Sequence, residues 1–513
     1  MLTDRIEAAL AAPIAQEREF DTLAALDDVL AGIGLDRRDI GGEVTFHGAD
    51  PIVPSTLRLA AAAGIGLVAK SVAVAKLWRL RGGEGQDISI DLRVAPHRLC
   101  PFYDRRWELV GGYPPGAPAS PSPAFGFGFY RTADDRWVMP LNPYPKLRIA
   151  AQKLLRVPDD RDAVAAAVAT WRASDLEEAG AHAGIVMPML RTASELLGEP
   201  HYREALATMP LVELERIGDS EPEPLPDADG LPLDRVRALG MGHVIAGAGA
   251  GRALALHGAE VLNVWRPDEL EHDAAYVSAN VGVRSTTLDP RDEQGAARLR
   301  QLLEGADVFF ANRRPGYLER IRLTAEEAAA VRPGIVHATI SLNGQQGPWA
   351  DRIGFDQTAG SLVGMMLLEG DGTRPALPPI LVVNDYIVSW LLAAGIVEAL
   401  CRRAQDGGSY RVHVSLTRVA LWILTLGIFD REYAVATAGT GERHAYLDPE
   451  TFTADTPLGR YQGVTEQVVM SATPGGYDPV LVPRGSCAPA WLLTPGTALF
   501  SDGATVSRER VRG

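Results

Sequence analysis

Asp385 stands in Val383-Asn384-Asp385-Tyr386, just before an apolar run from Ile387 to Arg402 that reads as a helix. A carboxylate there can simply cap the first turn. The position also suits chemistry. The helix dipole favours the ionised form, nearby N–H groups can stabilise charge on an attacked carbonyl, and a carboxylate can be a covalent nucleophile. A second signal is the loop His243–Gly251, HVIAGAGAG, between an expected strand and an expected helix. Its glycines allow a tight turn and close backbone approach, and a helix start favours phosphate. The spacing Gly247-Ala-Gly249-Ala-Gly251 departs from the dinucleotide fingerprint, and the next strand ends in Trp265-Arg266 without an acidic residue, which disfavours a nicotinamide cofactor. Close packing of helix on sheet is the plain alternative for these glycines. Arg266, Arg284, Arg313, Arg314 and Arg320 fall near strand ends, where they suit an anionic nucleotide or form ordinary surface ion pairs. His257, His337 and His413 fall at helix or strand positions and read as structural. There is no serine nucleophile elbow, metal-ligand spacing or P-loop.

The elements that must position these residues alternate. Strands are expected at Val236–Leu239, Glu260–Val264, Val308–Ala311 and Ile335–Ile340, with helices at Gly249–His257, Ala296–Leu303 and Ala325–Val331. This pattern predicts an α/β, doubly wound parallel sheet of Rossmann-like form. Before it, residues 57–81 predict a long helix ending at Gly82-Gly83, followed by the alternating strand Gln86–Leu92. Phe125–Met139 reads as strands around the turn Asp134-Asp135, and residues 160–215 as two or three helices. Two Pro-rich stretches, 113–123 and 219–232, read as connections, the second as a domain boundary. The tail beyond about residue 436 is rich in Thr, Pro and Gly and is expected to wrap another surface. A shift of 324 positions lays Ile65–Leu92 on Ser389–Leu416, matching helix, glycine turn and strand; it sets Ala61 opposite Asp385.

The chain has 513 residues, enough for two to four domains, with 50 Lys and Arg against 65 Asp and Glu, a net charge of −15. That balance argues against a nucleic-acid partner. Three cysteines cannot build a disulfide framework, which fits a reduced, cytoplasmic setting. The opening MLTDRIEAALAAPIAQEREF has acidic residues and no apolar core, unlike a secretory signal. Leu381–Leu400 carries Asn384, Asp385 and Glu398, and Leu416–Phe429 is too short to span a bilayer, so no membrane partner is expected.

Five ordered blocks, HVIAGAGAGRALALHGAEVLNV (243–264), NVGVRSTTLDP (280–290), ADVFFANRRPGYLERI (306–321), GQQGPWADRIGFDQTAG (344–360) and NDYIVSWLLAAGIVEALCRRAQDGGSYRVHVSL (384–416), resemble the family III CoA-transferases of the CaiB/BaiF type. The earlier half resembles a different stretch of that family. LRLAAAAGIGLVAKSVAVAKLWRLRGGEGQDISIDL looks like the helix and strand that follow the catalytic aspartate, and FYRTADDRWVMPL like the opening of the small domain. The resemblance thus implies residues 1–218 as a half lacking the catalytic aspartate, with a smaller α+β domain at about 113–205. It further implies a linker at 219–232, a CoA-binding half at 233–435 and an extension at 436–513. Subunits of the family interlock, so a homodimer is implied, or two halves complementing each other within one chain.

Carried over residue by residue, the resemblance makes Asp385 the catalytic aspartate. It makes Val244, Ile245, Ala246, Arg266, Leu288, Asn312, Arg313 and Arg320 the contacts to coenzyme A, and Asp356 an acidic neighbour of the active site. The implied reaction moves CoA between an acyl-CoA and a carboxylic acid through an aspartyl intermediate, with acyl-CoA as substrate and no permanently bound cofactor or metal. An acyl-CoA racemase or isomerase on the same fold, or a non-catalytic CoA-binding subunit, are the alternatives. Racemases of the family carry a histidine where this chain has Phe355.

Overall fold

A computed structural model describes residues 1–116, 124–227 and 230–492. Most of the first Pro-rich connection (117–123), residues 228–229 of the second and the end of the tail (493–513) lie outside the described residues. In chain order the strands are β1 (Val44–His47), β2 (Ile88–Asp91), β3 (Leu109–Val110), β4 (Tyr130–Arg131), β5 (Trp137–Val138), β6 (Glu213–Gly218), β7 (Arg237–Met241), β8 (Glu260–Trp265), β9 (Arg284–Thr287), β10 (Val308–Ala311), β11 (Val336–Ser341), β12 (Ser409–Ser415), β13 (Thr451–Thr456), β14 (Gly459–Val464) and β15 (Val468–Met470). Four helices position the site: α1 (Leu59–Leu80), α2 (Ala246–Ala255), α3 (Asp356–Val363) and α4 (Asp385–Asp406).

The main sheet runs β6-β12-β11-β10-β7-β8-β9. Its six inner and far strands are parallel, and β6 joins β12 antiparallel. The chain winds outward through β8 and β9 on one side of β7, then returns to β10 and winds through β11 and β12 on the other. The boundary between β7 and β10 is therefore the switch point, and ligands of such sheets bind at its carboxyl end. The central strands are apolar at nearly every position because helices cover both faces, as in Val308-Phe-Phe-Ala311, all four residues of which are buried.

The two halves are built into one another. β6 precedes the expected boundary at 219–232 yet forms the edge of the later half's sheet. β15, from the tail, pairs with β2 of the first half, and β3 pairs with β14. The tail's first part is thus a hairpin and strand wedged into the first half, more ordered than its composition suggests. Between the halves lies a buried ionic cluster. Glu466 accepts from Lys70 Nζ at 3.3 Å and from Arg98 Nη2 at 3.2 Å, with Arg252 Nε at 3.7 Å. These cations hold the Glu466 carboxyl far below the usual carboxylate range against the opposing effect of burial.

α1 and α4 pack together in the middle of the core, joined by Lys76 Nζ to Glu398 Oε2 at 2.6 Å. α1 is long and apolar enough to cross a bilayer, but its residues are buried by protein almost throughout. Both helices contain 22 residues and lead through a glycine turn to a strand. A separate apolar cluster around Phe125, Tyr130, Leu147 and Met187 forms the small domain, and Ile353 and Phe355 of the later half pack on it. Cys100, Cys401 and Cys487 are free thiols.

Candidate active site

The loop after β7 turns sharply at Val244, whose φ of 57° lies in the left-handed region. Asn312 and Glu271 hold it there. Asn312, at the end of β10, accepts from the His243 N–H at 2.8 Å and donates to the His243 carbonyl at 2.8 Å. Glu271 accepts from the Val244 N–H at 2.7 Å. A Cβ on Gly247 would fall 2.2 Å from Asn312 Oδ1, and one on Gly249 would fall 2.7 Å from Ser389 Oγ. Both glycines therefore serve close packing. Ser389 Oγ, one turn into α4, lies 2.7 Å from the Ala246 carbonyl and 2.9 Å from the Asp385 carbonyl, tying the first turns of α2 and α4 together.

Asp385 is the first residue of α4 and only 6 % exposed. Its side chain does not cap the helix. That service comes from Asp356, the first residue of α3 and 2 % exposed, whose Oδ2 accepts from the N–H groups of Val383 (3.1 Å), Asn384 (2.5 Å) and Asp385 (3.0 Å). Gln357 Nε2 adds a bond to the Leu381 carbonyl at 2.7 Å. The Asp385 carboxylate is left facing a cleft, with no hydrogen-bond donor reaching it among the described residues.

Two expectations about Asp385 change. The N–H groups of Val383, Asn384 and Asp385 are occupied by Asp356, so those three are not free to stabilise an attacked carbonyl. The dipole also does not keep the acid strong. Burial, together with the negative Asp356, raises the Asp385 carboxyl well above its ordinary value. Asp356 itself is raised to about 6, because desolvation outweighs its three N–H donors. Of the two, Asp356, with its three donors, is the better anion.

The cleft has a volume of about 1180 Å³ and opens at the carboxyl ends of β7, β10 and β11. At one end three guanidinium groups surround the Tyr317 ring, Arg266 at 5.5 Å, Arg313 at 5.6 Å and Arg320 at 5.8 Å from its centroid. Glu269 neutralises two of them, accepting from Arg266 Nε at 3.0 Å and from Arg313. Arg314 and Arg320 are exposed and have no carboxylate partner among the described residues. This end suits phosphate groups. At the other end Tyr144, from the small domain, donates to Glu271 Oε1 at 2.8 Å and stacks on Phe355.

Val244, Ala246, Arg266, Asn312, Arg313, Arg320 and Asp385 all line this one cleft. Ile245 is buried in the core as the residue before α2, Leu288 packs on the apolar cluster behind β8 and β10, and Asp356 lies beneath the surface. Arg284 pairs with Glu260 at 2.6 Å, away from the cleft. His257, His337 and His413 are buried. Glu269, Glu271, Ser389 and Tyr144 join the site without a motif to mark them. The first two alternate in Asp268-Glu-Leu-Glu-His272, a weak signal, and Tyr144 gives none because tertiary packing alone brings it here. Among the described residues no group of three His, Cys, Asp or Glu side chains is arranged to hold a metal.

The first half shows the same clasp without the acid. Asp50 is buried and accepts from the N–H groups of Ala60 (3.1 Å) and Ala61 (2.7 Å) at the start of α1. Under the shift of 324, Ala60 and Ala61 correspond to Asn384 and Asp385. A buried carboxylate thus anchors both helix starts, which supports a duplication in which Ala61 stands opposite Asp385.

Residues 233–458 match the family model described as CoA-transferase family III. The succinyl-CoA–L-malate CoA-transferase alpha subunit of Chloroflexus aurantiacus is 33% identical over 208 residues, covering 38% of this chain and 49% of that protein. The succinyl-CoA:glutarate CoA-transferase of Mus musculus is 27% identical over 215 residues, covering 39% and 49%. A crystal structure of a CAIB/BAIF family protein from Brucella suis aligns over 38% of this chain and 56% of that one, at 27% identity and a TM-score of 0.36. The chain spans about half the length of the curated relatives it matches. The matched segment 233–458 carries the loop after β7, the arginine cluster and Asp385, and it is similar to CoA-transferase family III.

Proposed function

We propose that this protein transfers CoA from an acyl-CoA thioester to a carboxylic acid, with Asp385 as the covalent carrier. A carboxylate oxygen of Asp385 attacks the thioester carbonyl, the C–S bond breaks, and CoA leaves as thiolate, giving a mixed anhydride. The thiolate attacks the Asp385 acyl carbon, releasing the donor acid and leaving an aspartyl-CoA thioester. The incoming carboxylate attacks that thioester, and the freed thiolate then attacks the incoming acyl carbon, restoring Asp385. Every bond broken is matched by one formed, and the cycle calls on no metal or redox group.

The observation that carries this reading is the position of the Asp385 carboxylate. It is buried, has no donor among the described residues, faces the cleft, and has its backbone clamped by Asp356 and Ser389. A carboxylate meant only for capping would accept from an N–H of the turn that follows it, and that of Asp385 accepts from none among the described residues. The arginine-rich end supports docking of the CoA phosphates, with Val244, Ala246, Arg266, Asn312, Arg313 and Arg320 along the path. The family resemblance implies a homodimer; the strands that this chain's own first half exchanges with the later half support a site completed within one chain instead. The setting that fits this chemistry is the cytoplasm.

Turnover in Asp385→Ala and hydroxylamine trapping in the parent test the proposal. Expected are loss of exchange by ~10³-fold or more in the variant and a hydroxamate formed only by the parent. Exchange retained in Asp385→Ala contradicts it. Deuterium entering the α-carbon without change of CoA partner favours the isomerase reading, for which Phe355 offers no base.

A further inference from the structure

We infer that the acyl group this site accepts is a monocarboxylic acyl with an apolar, aromatic or branched body, and that dicarboxylic acyl groups are rejected. The inference rests on the reading of Asp385 as the acyl-carrying carboxylate. Three observations support it.

The wall beside Asp385 is apolar. Tyr144, Leu147 and Val186 from the small domain face Ile353 and Phe355 from the loop before α3, and all line the cleft. The Tyr144 and Phe355 rings are nearly parallel, 12° apart with centroids separated by 6.0 Å, while Ile353 and Phe355 also pack into the two apolar clusters behind them. Phe355 immediately precedes Asp356, whose side chain holds the Asp385 N–H, so this wall is fixed to the reactive residue through two consecutive positions.

The cations of the cleft are already matched. Lys146 pairs with Asp268 at 3.4 Å, and Arg352 with Glu177 at 3.2 Å and Glu178 at 2.8 Å. Arg411 pairs with Glu215, and Glu269 takes both Arg266 and Arg313. Among the described residues lining the cleft, the arginines without a carboxylate are Arg314 and Arg320, both on the phosphate end. A distal carboxylate on the acyl group therefore finds no cation of its own.

Around Asp385 the field is negative. Asp356 lies beneath it. Glu271 accepts from Tyr144 Oη at 2.8 Å, from the His272 N–H at 2.9 Å and from Val244, and so is held as an acceptor at the same end of the cleft. A second carboxylate brought here is desolvated against like charge, which works as rejection rather than as mere lack of attraction.

The test separates binding from chemistry. Asp385→Asn, which keeps the shape but cannot carry the acyl group, is titrated calorimetrically with benzoyl-CoA, isovaleryl-CoA, succinyl-CoA and glutaryl-CoA. The parent is assayed for exchange with the same four donors. Expected are ~30-fold or greater preferences for the first two in both Kd and kcat/KM. Phe355→Ala should shrink the benzoyl preference while leaving succinyl-CoA binding little changed. Succinyl-CoA bound as tightly as benzoyl-CoA overturns the inference. Preferential binding of the apolar donors with no exchange by the parent leaves the pocket assignment standing and removes the transferase reading instead.

Discussion

Asp356 does two things to Asp385 that pull in opposite directions. By accepting three N–H bonds it fixes the reactive residue, and by its charge it makes that residue a weaker acid. In the proposed mechanism Asp385 attacks as the carboxylate, so acyl-enzyme formation should rise with pH through the titration of the pair, beginning near the value of about 6 that burial imposes on Asp356. Asp356→Asn keeps an acceptor oxygen but removes the charge, so the acid limb of the pH–rate profile should move to lower pH by about one unit. An unmoved limb would mean that Asp356 does not act on Asp385 electrostatically. The same raised pKa has a stability consequence. A carboxyl whose folded-state value lies above its unfolded value stabilises the fold below the unfolded value and loses that contribution as pH rises through the folded one. Asp385→Asn, inactive, should therefore melt a few degrees above the parent at neutral pH, and the difference should vanish in acid. The place of Asp385 at the start of an apolar helix is legible in the sequence. The sign of its acidity shift is not, because it depends on a carboxylate 29 positions away (Asp356) that folding brings underneath it.

Among the elements, the loop after β7 and the turn after β10 form one device. Asn312 braces the loop and Gly247 makes room for it, so Gly247→Ala should displace the loop and raise KM for acyl-CoA by ~10-fold or more while the chain remains folded. Arg314→Ala and Arg320→Ala remove cations without a carboxylate partner, so each should raise that KM by several fold with kcat little changed. The effect should shrink at high salt, as phosphate contacts through exposed arginines do. Between β7 and β11 the strands β7, β8, β10 and β11 are readable from periodicity, with boundaries close to those observed, whereas β9, Arg284-Ser-Thr-Thr287, has no apolar residue to mark it. β6 is not, for a physical reason: Glu213-Leu-Glu-Arg-Ile-Gly218 is an edge strand with no fully buried position, so it lacks the apolar signature of the strands it joins. The β13–β14 hairpin is hidden likewise by Thr- and Gly-rich composition. α1 is legible at nearly its true limits because its residues are apolar on all sides, as a helix at the centre of a core must be.

At the scale of the molecule, strands β6, β3 and β15 exchange between halves, and the Glu466 cluster lies where the halves meet. Glu466→Gln leaves Lys70, Arg98 and Arg252 without their shared anion and should cost about 3–5 kcal/mol of stability, read as a fall in the denaturant midpoint. Because its folded-state pKa is depressed, the Glu466 contribution is present above the unfolded carboxylate range and fades as pH falls towards the folded value. If the chain's own first half completes the site, no second copy is required. Turnover per chain should stay constant on dilution, whereas residues 233–492 produced alone should neither fold stably nor exchange CoA. Activity that falls as chains dissociate would show that the site is completed between chains. The interlocking itself is suggested by the two family-like stretches, but which half covers which site depends on Tyr144 and its neighbours, which no local pattern marks.

CoA transfer by this route requires the carboxylate of Asp385 to become a thioester of CoA. Parent protein incubated with an acyl-CoA donor and no acceptor, quenched in acid and mapped by peptide mass spectrometry, tests this most directly. A CoA adduct on the peptide containing Asp385, lost on adding an acceptor acid and missing from Asp385→Asn, is the predicted result. An adduct at another residue, or rapid exchange with none formed at Asp385, would contradict it.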